Sequence, residues 1–82
     1  MTLRDLAPGD VGIVRCIHGG RLPPERLMAL GLIPGARVCR LYSAPFGDPT
    51  AYRIQGYVLA LGAQEAAQVE LRAPRRAALP RP

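Results

Sequence analysis

Lysine, asparagine and tryptophan are missing from this 82-residue chain, and serine and histidine occur once each, as Ser43 and His18. Without lysine there can be no Gly-Lys-Ser/Thr phosphate-binding loop. A Ser-His-Asp arrangement would need Ser43 to meet His18, and no elbow motif surrounds that serine. The chain is therefore not expected to be an enzyme. No run approaches the ~20 apolar residues of a membrane span, so direct membrane insertion is not expected either. The opening MTLRDLAPGD lacks the apolar centre of a signal peptide. The expected location is cytoplasmic, where Cys16 and Cys39 stay reduced.

What is present is arginine, glycine and proline. The net charge is +5, yet residues 1–71 hold seven arginines against six acids, a balance of only +1. The remaining arginines, 72, 75, 76 and 81, lie at the end of the chain. A nucleic-acid binder concentrates its cations on a folded face, so nucleic acid is not the expected partner. Nine glycines and nine prolines divide the chain into short segments, as a small all-β domain requires.

Pro8-Gly9 suits a type II turn. VGIVRCIH reads as strand one, with Val11, Ile13 and Ile17 on one face and Val14 and Cys16 on the other. RLPPERLMALG reads as a short helix with Pro23 or Pro24 in its first turn and Gly31 as its left-handed stop. Pro34-Gly35 turns the chain into ARVCRLYSA, strand two. TAYRI and YVLAL, joined by Gln55-Gly56, are strands three and four, with Tyr57, Leu59 and Leu61 inward. GAQEAAQ allows one helical turn, and VEL closes as strand five with Val69 and Leu71 inward. The predicted architecture is mainly β: a five-stranded SH3-like barrel, one short helix after strand one and a one-turn helix before the last strand. It occupies residues 1–72. Residues 73–82 read as a disordered Arg/Pro-rich tail, whose APRRAALPRP could also adopt polyproline II.

The ordered fragments LRDLAPGDVGIV (3–14), RLMALGLIPGARV (26–38), APFGDP (44–49), GYVLAL (56–61) and AAQVEL (66–71) resemble the ferrous iron transport protein A (FeoA) family. Each fragment is common alone; their order and spacing are specific, and the likeness spans about residues 2–71. The resemblance implies an SH3-like barrel that serves bacterial ferrous iron uptake as an accessory protein. Its implied partner is the membrane Fe(II) transporter, whose cytosolic part is a GTPase domain. A related domain occurs in metal-dependent repressors, which supplies the alternative reading of a stand-alone transition-metal-binding regulatory module. The cysteines and the basic tail lie outside the matched motifs and inherit no family role.

Two sets of candidate residues remain. Cys16 and His18 are two apart on strand one and so share a face; Cys39 on strand two completes a three-ligand cluster if the strands pair. The competing reading makes both cysteines small core hydrophobes and His18 a solvated strand end, since no CxxC or HxxxH spacing occurs. No cofactor is required; a real site would take Fe2+ or, with thiolate ligands, rather Zn2+. The partner candidates are Arg21 and Arg26 on the exposed face of the helical segment, Leu27 and Leu30 packing inward beneath it, and Phe46 at a loop tip. An arginine finger would fall to Arg21 or Arg26. Weak homo-oligomerisation through an open barrel edge is compatible with either reading.

Overall fold

The computed structural model describes residues 1–72. The expected tail, 73–82, lies outside the described residues. A 3₁₀ turn at Leu3–Asp5 leads into β1 (Val11–Ile17), α1 (Pro24–Ala29), β2 (Arg37–Ser43), β3 (Thr50–Ile54), β4 (Tyr57–Leu61), the single-turn α2 (Ala63–Ala66) and β5 (Val69–Leu71). The strands form one antiparallel sheet in the order β4-β3-β2-β1-β5. Element order follows the sequence expectation. The closure does not: β4 and β5 stand at opposite edges with no ladder between them among the described residues, so the barrel is not closed by hydrogen bonds.

The turns follow from glycine and proline chemistry. The Asp10 N–H donates to the Ala7 carbonyl across Pro8-Gly9, and Gly9 takes φ +89°. Across Pro34-Gly35 the Ala36 N–H donates to Ile33, with Gly35 at φ +92°. Both are turns in which proline sets the first φ and glycine accepts the positive second one. Gln55 and Gly56 both have positive φ, 51° and 117°, which matches the right-handed twist of the β3–β4 hairpin.

Gly31 explains how α1 ends. At φ +102° its N–H reaches back to the Met28 carbonyl, and the Leu32 N–H reaches Leu27. A Cβ at this position would also collide with the Tyr57 hydroxyl, which donates to the Leu30 carbonyl. The helix terminus is thus seated against the β3–β4 hairpin. Only glycine fits both the dihedral and the space.

One hydrophobic cluster gathers Leu3, Leu6, Val14, Leu27, Leu32, Val38, Tyr52, Ile54, Leu61, Val69 and Leu71. Burying a side chain such as Leu27 completely contributes about 1.5–3 kcal/mol. Leu30, expected beside Leu27, is instead 41% exposed because it lies past the last helical turn as the C-cap. Tyr57 is likewise half exposed and Leu59 only partly covered, as suits an edge strand, while Leu61 is buried.

The phase of β1 also departs from simple alternation. Val14 pairs with Leu71, and Cys16 with Glu70, so Arg15 is the extra residue of a bulge. Val14 is buried and Cys16 is turned to the opposite face, although they stand two positions apart with only Arg15 between them. A bulge re-aims the side chains that follow it.

Candidate functional site

The bulge at Arg15 assembles the most chemically loaded spot on the described surface. After it, Cys16 on β1 and His18, the residue just past the strand's end, both point outward. Glu70, flanked by the inward Val69 and Leu71, points outward from β5 directly opposite Cys16. The Cys16 Sγ lies 3.8 Å from His18 Nε2 and 3.8 Å from Glu70 Oε1. His18 Nε2 and Glu70 Oε1 are 2.5 Å apart, a contact in which the imidazole N–H donates to the carboxylate. The three donor atoms lie within 4.8 Å of one another. The second carboxylate oxygen, Oε2, faces the Arg15 guanidinium at 3.5 Å. The hydrogen bond from His18, helped by the Arg15 charge, holds the Glu70 carboxyl below its usual range.

Of the sequence-predicted ligands, the structure brings Cys16 and His18 together and leaves Cys39 elsewhere. β1 and β2 do pair, but Cys39 is opposite Val11, five residues before Cys16 and on the order of 15 Å along the strand. Its thiol lies 3.8 Å from the Gly9 carbonyl and 3.6 Å from that of Arg40. The third donor is Glu70, which sequence reasoning missed. Its outward orientation was readable from the Val-Glu-Leu alternation; the pairing of β5 with β1 was not.

Behind this cluster sits a buried polar group, Gln68, with 5% of its surface exposed. Its Nε2 donates to the carbonyls of His18 (2.9 Å) and Leu22 (2.8 Å), and its Oε1 accepts from the Leu22 N–H at 3.1 Å. One side chain thereby satisfies three backbone groups and ties the connection after β1 to the approach of β5. Gly20 is packed on the same side chain, where a Cβ would come within 2.8 Å of Gln68.

The partner candidates divide by exposure. Arg21 is engaged within the molecule, with Nε 3.3 Å from Glu65 Oε2 and Nη1 donating to Gln64 at 3.3 Å. Arg26 is exposed and makes no ion pair or side-chain hydrogen bond among the described residues. Leu27 is fully buried and holds α1 to the core. Leu30 is exposed together with Met28 and Ile33. Phe46, 97% exposed, stands clear of the β2–β3 loop. Beside it lies a cavity of about 310 Å³ lined by Arg4, Arg40, Asp48, Thr50 and Tyr52 among others. Arg40 there donates to the Leu6 carbonyl and to Ser43 Oγ, while its Nε has no partner among the described residues. Burial raises the pKa of the Tyr52 phenol, which stays neutral and donates to the Leu3 carbonyl. No helix among the described residues is long and apolar enough to cross a membrane.

Residues 1–73 match the family model for the FeoA domain. A fusion protein of Fe(2+) transport protein A and the Fe(2+) transporter FeoB, from Porphyromonas gingivalis, is 30% identical over 71 residues. That match covers 87% of this chain but only 8% of the relative's length. The solution structure of the FeoA protein from Chlorobium tepidum superposes with TM-score 0.78 at 34% identity, covering 87% of this chain and 68% of the other. The crystal structure of Stenotrophomonas maltophilia FeoA complexed with zinc, described as a prokaryotic SH3 domain protein, gives TM-score 0.78 at 27% identity. It covers 94% of this chain and 99% of its own. The open five-stranded architecture is thus SH3-like.

Proposed function

The chain belongs to the FeoA domain family, and on that premise we propose that it serves ferrous iron transport as a non-enzymatic accessory domain. It docks on the cytosolic GTPase part of a membrane Fe(II) transporter. The observation that carries this reading is the relative in which a domain like this one and the transporter FeoB are fused in one chain. Fusion holds such a domain beside its transporter at a high effective concentration, where even a modest interface stays occupied. The S. maltophilia structure, put forward as a ferrous iron transport activating factor, supports the same direction.

The docking surface would combine the exposed end of α1 with the Phe46 loop. Arg26 offers a cation with no ion pair among the described residues and Leu30 and Phe46 offer apolar area, whereas Arg21 braces the connection against α2 and Leu27 anchors the helix from inside. An arginine finger, if the transporter uses one, falls to Arg26 rather than to the ion-paired Arg21. The domain acts by binding one transporter state better than another; equal affinity for all states would shift nothing.

Titrating the purified transporter GTPase domain with this protein, in the GDP-bound and GTP-analogue-bound states, tests the reading. Binding is expected in one state preferentially, and Leu30→Asp or Phe46→Asp should weaken it roughly tenfold or more, the effect of removing an interface anchor. Absence of binding in every nucleotide state removes the proposal. A second reading, a transition-metal-binding regulatory module, is favoured by the convergence of Cys16, His18 and Glu70 and by the zinc complex of a structural relative.

A further inference from the structure

We infer that Cys16, His18 and Glu70 form a surface site for one borderline divalent transition ion of the zinc class, with three protein ligands and one open coordination position. The inference stands on the seam between β1 and β5 and does not require the docking reading.

The first support is distance. Tetrahedral zinc with bonds of about 2.3 Å to sulfur and about 2.1 Å to nitrogen or oxygen sets its ligands roughly 3.6 Å apart across S–N and S–O edges, and roughly 3.4 Å across N–O. The two sulfur edges stand at 3.8 Å already. Only the His18–Glu70 edge, at 2.5 Å, must widen, by about 0.9 Å from the same bond lengths. Small side-chain rotations supply that, because both groups border solvent.

The second support is how the carboxylate is divided. Glu70 turns Oε2 to Arg15 and Oε1 to the thiol and imidazole, so the arginine fixes the carboxylate for one-oxygen ligation. Partners of this kind orient ligands and raise their affinity. The same bulge that places Cys16 outward makes Arg15 the neighbour able to do this.

The third support is donor chemistry. A thiolate with an imidazole and a carboxylate suits zinc and disfavours magnesium and calcium, which take oxygen ligands. The two anions, Cys16 thiolate and Glu70 carboxylate, balance the dication, and binding releases the thiol proton. An ion pair between His18, Glu70 and Arg15 would account for those three residues alone. It would not account for a thiol equidistant from the other two donors.

Cobalt(II) as a probe, added anaerobically to the reduced protein, separates these accounts. One equivalent should produce a thiolate-to-cobalt charge-transfer band with tetrahedral ligand-field absorption, bleached by one equivalent of zinc. Cys16→Ser should abolish the band and Cys39→Ser should preserve it. His18→Gln and Glu70→Gln should each weaken zinc binding at least tenfold, and Arg15→Gln by less, in line with a partner outside the coordination shell. Far-UV circular dichroism identifies any variant that fails to fold, and the Cys16/Cys39 contrast among folded variants decides. An octahedral cobalt spectrum without the thiolate band overturns the site. Equal loss in both cysteine variants does so too.

Discussion

Residues 68 and 70 stand two apart on the approach to and within β5, yet they meet opposite environments. Gln68 is enclosed, and every hydrogen bond of its side chain goes to backbone of the segment after β1. Glu70 faces outward, and its contacts go to three side chains, each of which can exchange them for another partner. Buried polar groups must be satisfied and so become part of the framework. Exposed ones cost little to rearrange and are free for chemistry. The seam between β1 and β5 therefore has a structural side and a chemical side.

The strongest test of that division removes the apolar lining of the structural side. Leu71→Ala should cost about 2–5 kcal/mol by urea denaturation, because its side chain fills the core against Gly12 and opposite Val14. A change within about 0.5 kcal/mol, typical of surface substitutions, would mean that β5 is not integral to the core. Next comes Gln68→Leu, which leaves the carbonyls of His18 and Leu22 and the Leu22 N–H without their partner. A loss of about 1–3 kcal/mol is expected, with hydrogen-exchange protection falling first at Leu22. The smallest effect belongs to the chemical side: Glu70→Gln should leave the urea midpoint unchanged while weakening zinc binding. A midpoint that falls as far as in Gln68→Leu would erase the distinction between the two sides.

Much of the framework was legible because it is written in local backbone chemistry. Pro8-Gly9, Gly31, Pro34-Gly35 and Gln55-Gly56 each act through the φ of one or two residues, and each turns where expected. Strand alternation worked for Val69 and Leu71. What escaped was non-local. The bulge at Arg15 depends on how β1 meets β5, so Val14 and Cys16 were assigned one face when they occupy two. Leu30 follows Leu27 by a helical interval, but the helix stops at Ala29 and leaves it exposed.

The candidate cluster was half readable for the same reason. Cys16 is on β1 and His18 directly follows its last residue, and their common orientation is a local property that survives the bulge because both follow it. Cys39 and Glu70 could be ranked only by knowing register. β2 meets β1 with Cys39 opposite Val11, whereas β5 sets Glu70 opposite Cys16. Gln68 gave no signal at all, since a glutamine near the end of a short helix ordinarily faces water.

The grip of Gln68 on both Leu22 backbone groups changes what kind of polymer the stretch between β1 and β2 is. Held there, braced by Arg21 on Glu65, and seated on Tyr57 at the end of α1, it is a string of short spans between fixed points. Each short span retains far less configurational freedom than one long loop. A macromolecule meeting α1 therefore encounters a relief already set in place, and most of the ordering cost that a floppy arm would levy on association was met when the domain folded.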